Sequence, residues 1–226
     1  MVAEEQGLMS RNALLAFNFL VAFCFTAAVH AAIIHESATL GTTGIDFPIL
    51  GLDYDQFFGS RFSVAEPVQV EMIGGHIKAF HRPLFAAIVS LASPTAFPSG
   101  SPFDSTTMAT TLIDAPLVSA DVLAPLSVRL NPGDYALIFG AGLFGATING
   151  GGIADNNIDI PGHASYFVWG DSSAHPNVFG WRNYNYSGPN RGGLRFVVTG
   201  SVIPEPSALA LLMMALALTV GRRWRR

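Results

Sequence analysis

The chain has 226 residues, of which 50% are hydrophobic and only 12% charged, with a formal net charge of −4. An ordinary soluble domain is about one-quarter charged, so a mean hydropathy of +0.40 predicts apolar segments beyond a single core. Between residues 32 and 203 seven basic residues (Arg61, Lys78, Arg82, Arg129, Arg182, Arg191, Arg195) face thirteen acidic ones, a net of −6. With no basic stripe to meet phosphates, this composition speaks against a nucleic-acid partner.

The N-terminal segment orders its residues as basic, apolar, small. Arg11 precedes an apolar stretch over 13–29 that only Asn18 and Thr26 interrupt, and Val29 and Ala31 occupy the −3 and −1 positions of an A-x-A-like site. This order predicts a secretory signal peptide over 1–31, helical in its apolar part and cleaved after Ala31. Glu4 and Glu5 are foreign to a signal n-region, so a start at Met9, which gives a cleaner signal than Met1, is expected. Cys24, the only cysteine, lies inside the apolar run between Phe23 and Phe25. The bulky Phe23 argues against lipid attachment there, and the exported part has no thiol for disulfides or catalysis.

From residue 32 onward the apolar pattern has a period of two. Val68, Val70 and Met72 alternate, as do Leu126, Val128 and Leu130, which predicts strands. Further strands are expected around Phe62 and Val64, Ile77 and Phe80, 84–91, 135–139, 166–169 and 194–199. The run Leu-Phe-Ala-Ala-Ile-Val-Ser-Leu (84–91) is apolar on both faces and predicts a strand covered on both sides. Gly- and Pro-rich breaks fall at 93–105, 131–134, 140–152 and 187–193. No stretch here keeps a 3.6-residue period, so residues 32–201 are expected to form one all-β domain, an antiparallel β-sandwich of the jelly-roll kind. The clearest local unit is 126–139, two alternating segments around Asn131-Pro132-Gly133-Asp134, expected to form a hairpin. It resembles the late hairpin of extracellular β-sandwich modules, carbohydrate-binding ones among them.

Candidate sites within the domain are weak. Asp155, Asn157 and Asp159 have the spacing of an EF-hand start, but Ile160 stands where glycine is needed and Tyr166 where the bidentate glutamate belongs. Self-satisfying Asx turns and an irregular Ca²⁺ site both remain open; no other metal or cofactor is expected. No H-x-H or H-E-x-x-H spacing points to zinc, and His76, after Gly74-Gly75, is expected to be structural at a bulge. The G-x-G-x-x-G of 140–145 opens no helix, which speaks against a dinucleotide site. Asp53 and Asp55 could serve a hydrolase only if their surroundings converged. Trp181, Tyr184 and Tyr186, interleaved with Arg182, Asn183 and Asn185, are the candidate sugar-stacking rings, with core packing the alternative.

The last 25 residues, 202–226, are expected to lie outside the domain. Pro204-Glu205-Pro206 is followed by 13 apolar residues (208–220) and then by Arg222, Arg223, Arg225 and Arg226. Thirteen residues are short of the ~20 that span a bilayer, but 206–224 reaches that length with snorkelling arginines. The arginine cluster predicts a single transmembrane helix whose end stays in the cytoplasm while the domain is translocated. A Pro-Glu-Pro motif, a short apolar helix and an Arg-rich end, with a signal peptide at the other terminus, resemble the PEP-CTERM sorting signal of Gram-negative exopolysaccharide producers. The resemblance implies recognition by an exosortase, a membrane-embedded Cys-dependent enzyme. It also implies cutting near Pro204, Glu205 and Pro206 and passage from a transient membrane anchor to the cell surface or matrix. The nucleophile is then the exosortase's, and this chain is its substrate. The expected function is that of a non-enzymatic surface or matrix protein associated with exopolysaccharide or biofilm. The alternatives are a carbohydrate-binding module and, after it, a glycoside hydrolase.

Overall fold

The structure, a computed structural model, describes residues 31–203 apart from 46–48, 101, 104–105, 173–174 and 185–191. The expected signal helix and transmembrane tail lie outside the described residues. Within them there is no helix, and every strand pairing is antiparallel. The strands are β1 (Ala32–Glu36), β2 (Ala38–Thr39), β3 (Ile49–Asp53), β4 (Phe57–Val64), β5 (Val68–Ala79), β6 (Leu84–Leu91) and β7 (Thr107–Ile113). They continue with β8 (Ala120–Leu130), β9 (Gly133–Gly140), β10 (Asn149–Ala154), β11 (Ile158–Asp159), β12 (Tyr166–Ser172), β13 (His175–Asn183) and β14 (Phe196–Val202).

Two six-stranded sheets carry the fold. One runs β1-β14-β5-β10-β3, with β8 on the free edge of β5; the other runs β13-β12-β4-β9-β6-β7, and β11 pairs with β2 as a separate ribbon. The 12-residue β5 is long enough to hold β14 along 68–75 and β10 along 77–79, with β8 opposite both. The facing sides of the two sheets share one core. From the first sheet come Val70, Ile73, Ile77, Leu126, Leu130, Phe196 and Val198, and from the second Phe58, Phe62, Leu84, Ile88, Leu137 and Phe139. Phe139 and Phe196 stack across the interior with centroids 4.9 Å apart and planes within 4°. Each such ring is worth about 2–3 kcal/mol by burial alone.

The second sheet is covered on its other side too. Phe57, Phe85, Ala87, Val89, Ala136, Ile138 and Phe167 pack there beneath Phe97, Phe103, Leu143, Ala146, Trp169 and Trp181. β6 therefore sends Leu84, Ala86 and Ile88 into the inter-sheet core and Phe85, Ala87 and Val89 into this outer one. The period-one apolar run of 84–91 is the consequence, as expected for a doubly covered strand.

Two expectations are overturned. Residues 126–139 are not a hairpin: β8 pairs with β5 in the first sheet, whereas β9 pairs with β4 and β6 in the second. The Asn131-Pro132 turn is an arch between sheets. Alternation cannot separate the two cases, because Leu126 and Leu130 meet Tyr135, Leu137 and Phe139 in the same core from opposite sides. The Gly-rich 140–152 is not one long break either, since 149–154 forms β10. A Cβ at Gly151 would fall on the Lys78 backbone, and one at Gly150 would strike Ala141, Leu84 and the Leu52 carbonyl. These glycines permit close strand approach rather than a turn. A smaller difference is that Ile77 continues the strand begun at Val68 instead of starting another. Pro125 is accommodated because β8 is an edge strand and Pro125 sits at the bulge opposite Met72.

Candidate functional site

A cleft of about 750 Å³ opens where β4, β12 and the end of β13 meet the 155–159 and 192–194 segments. Its walls include Arg61, Thr95, Asp159, Ser165, Tyr166, Asn183 and Tyr184. The volume falls within the range of small-ligand sites.

Arg61 is placed by strand alternation. Phe58, Phe62 and Val64 of β4 face the inter-sheet core, and Phe57 faces the outer core. Arg61 is odd-numbered like Phe57, which puts a guanidinium where the pattern offers an apolar position. Only 6% of it is exposed. The guanidinium lies 4.7 Å from the ring centroid of Phe97 and 4.6 Å from that of Phe167. Nε donates to the Ala96 carbonyl at 2.9 Å and Nη1 to Ser165 Oγ at 3.4 Å. Nη2 has no hydrogen-bond partner, and no carboxylate pairs with Arg61 among the described residues. Burial pushes its pKa below the ordinary guanidinium value, since desolvation disfavours the charged form.

Across the cleft, Tyr166 donates its hydroxyl to Asp159 Oδ1 at 2.6 Å. Burial first, and then the neighbouring Asp159 carboxylate, raise the Tyr166 pKa, so the phenol stays protonated and keeps its donor. Tyr184 packs edge-on against Phe58, with centroids 5.2 Å apart and planes at 90°.

A second polar group lies behind this cleft and is structural. Asn157 Nδ2 donates to the Ala154 and Gly193 carbonyls at 2.9 and 3.0 Å. That fixes its Oδ1 as acceptor for Gly41 N (3.0 Å) and for Nδ1–H of the fully buried His76 (2.8 Å). Burial lowers the His76 pKa and holds the ring neutral. His76 is thus tied into the structure through Nδ1, as expected from the sequence, while its Nε2 is buried without a hydrogen-bond partner and the strand's bulge lies at Val70–Met72 rather than beside it.

The sequence-predicted residues are distributed as follows. Asp155 is fully buried, Asn157 is committed to the network just described, and Asp159 is exposed and bonded to Tyr166. They do not form a common cage, and among the described residues no three His, Cys, Asp or Glu side chains group as metal ligands. Trp181 and Tyr184 do not form one platform. Trp181 packs into the outer core, 5.0 Å from Phe167, and donates its indole N–H to the Pro102 carbonyl at 2.6 Å. Tyr184 packs against the inter-sheet core. Tyr184 directly follows the end of β13, and the two rings join different cores; Tyr186 lies outside the described residues. So do Val29, Pro204, Glu205, Pro206, Arg222, Arg223, Arg225 and Arg226, whereas Ala31 is exposed immediately before β1. Asp53 closes a turn, accepting from Tyr54 N at 2.7 Å. The 140–145 glycines form a loop after β9 in which Gly142 and Gly145 take positive φ. Sequence reasoning missed Arg61 and Ser165. The available signal was an arginine inside the alternating Phe-Phe-Gly-Ser-Arg-Phe-Ser-Val of β4.

In comparison with known proteins, no protein-family model matches this chain and no curated protein matches it.

Proposed function

We propose that the chain is an exported, non-enzymatic surface or matrix protein. Its domain is delivered by a cleaved signal peptide and released by an exosortase acting near Pro204, Glu205 and Pro206. Its setting is extracellular polysaccharide, and its architecture is a jelly roll. The alternation of successive strands between facing sheets, β4 to β5, β8 to β9 and β9 to β10, supports that architecture. The observation that carries the export reading is the position of the domain's ends. β1 begins at Ala32, one residue after the expected signal cleavage, and β14 ends at Val202, two residues before Pro204. Both expected cuts then fall outside the strands of the described residues.

The test is intact mass spectrometry of the protein from the surface fraction of a producing cell, with and without its exosortase. A mature species beginning at Ala32 and ending near Pro204 is expected. Without the exosortase the protein should stay membrane-associated with Arg226 attached. Retention of Arg226 in the surface fraction would reduce the tail to a permanent anchor.

A further inference from the structure

The Arg61 guanidinium has an unfinished coordination. A buried cation is normally matched by a carboxylate, because desolvation costs several kcal/mol otherwise. Here two aromatic faces offset part of that cost. Of the five N–H donors an arginine carries, one meets a backbone carbonyl, one meets Ser165 only at 3.4 Å, and Nη2 meets no acceptor. Arg61 and Ser165 both line the cleft, so the weak Ser165 bond is the one that an incoming anion can replace.

The remaining lining is suited to a saccharide rather than to a bare ion. Asn183 adds an amide and Thr95 a hydroxyl, Asp159 with its Tyr166 partner offers a fixed acceptor, and Tyr184 supplies a ring in the wall. Asp159 is the carboxylate that lines the cleft with Arg61; it makes no ion pair with Arg61 and accepts from Tyr166, with lone pairs left to accept sugar hydroxyls.

We infer that this cleft binds a carboxylate-bearing saccharide, with the uronate carboxylate against Arg61 and Ser165 and ring hydroxyls toward Asp159 and Asn183. The inference rests on the export reading only for where such a ligand is met. It replaces Trp181 with Arg61 as the main determinant of binding.

Calorimetric titration of the full-length chain in mild detergent with trigalacturonic acid, and separately with neutral galactotriose, tests the site. The acidic trisaccharide should bind at least about ten-fold more tightly, as a charge-assisted contact requires. Ser165→Ala and Asn183→Ala should each weaken it by about three-fold or more with an unchanged melting temperature. Arg61→Lys, which keeps the charge and loses the planar fork, should reduce the preference for acid over neutral sugar. Should that variant fail to fold, the two wall variants still decide. Equal affinity for the two trisaccharides, or no binding of either up to about 5 mM by a folded protein, overturns the proposal. The C-terminal mass of the surface protein is read independently, so a chain that is sorted but does not bind sinks the site alone. A chain that binds but keeps Arg226 sinks the sorting reading alone.

Discussion

Ala32 stands opposite Gly200 in the register of β1 and β14, so the first and last strands of the domain are neighbours. The segments that precede and follow the domain therefore leave it at one place. Ile203 is held there by its N–H bond to the Pro67 carbonyl at 2.8 Å. A circular permutant that joins Ile203 to Ala32 through about five Gly/Ser residues, opened at the exposed Gly162, should fold, because adjacent termini tolerate rejoining. Its thermal midpoint should stay within about 5 °C of the parent; a collapsed midpoint would show that β1 does not hold this place in solution.

Acid should destabilise the protein through His35. The ring is 5% exposed, stacks between Phe62 (5.3 Å) and His163 (6.0 Å), and shares a 3.1 Å hydrogen bond with Ser60. Burial first, and then the His163 charge, lower its pKa to about 4. Between pH 6.5 and about 4 the unfolded chain holds a proton that the native protein refuses. Stability present above pH 6.5 is therefore lost as the pH falls toward 4, by about 3 kcal/mol at about 1.4 kcal/mol per unit. Burial of His76 acts in the same direction. Urea midpoints of wild type and His35→Phe at pH 7.5 and 4.5 isolate this contribution, and the variant should lose less. Equal losses would mean that His35 is protonated in the native state.

Arg195 holds three strands together electrostatically. On β14's N-terminal flank, it contacts Glu36 of β1 at 2.9 Å and Asp121 of β8 at 2.6 Å, and its side chain is only 11% exposed. Removing it strands two carboxylates. Arg195→Ala should cost roughly 2–4 kcal/mol in urea unfolding, as for other broken, largely buried pairs. Asp121→Asn in the Arg195→Ala background should recover part of the loss. A loss below about 0.5 kcal/mol would place this cluster with ordinary surface pairs.

Two glycines should respond oppositely to the same change. At Gly74 an added Cβ falls on the Val122 carbonyl across the β5–β8 pairing, whereas at Gly180 nothing lies within 4 Å. Gly74→Ala should lower stability by about 2 kcal/mol or more, since the strands must separate. Gly180→Ala should be neutral or stabilise by about 0.5 kcal/mol through reduced chain entropy. The thermal midpoints of the two variants check the contrast.

Much of the fold was legible because burial imposes period two on a half-covered strand and erases polarity from a doubly covered one. Residues 84–91 were read correctly for that reason, and β4, β9 and β12 were found from their alternation. Several others were not, and those at 107–113 and 149–154 show why. In the first, Thr107, Thr110 and Thr111 dilute the apolar signal of a sheet-edge strand. In the second, glycines serve close packing while looking like turn residues.

The candidate cleft was legible only in part. Tyr184 and Asp159 were singled out from their sequence neighbourhoods, and both line it. Arg61 and Ser165 lie 104 residues apart and meet because β4 pairs with β12, a juxtaposition that no local spacing encodes. Of the candidate rings, Trp181 packs in the outer core and Tyr184 against the inter-sheet core, a separation that their closeness in sequence does not show.

By itself, the sequence determined the all-β character of the domain, because hydrophobic period and Gly/Pro placement are local properties of the chain. Only the tertiary structure decided that 126–139 crosses between sheets, that His35 and His76 are sealed from water, and that a partly coordinated arginine stands in a cleft. Alternation says which side of a strand is buried, but not which strand it will face there. That choice is made by pairings between residues far apart in the chain.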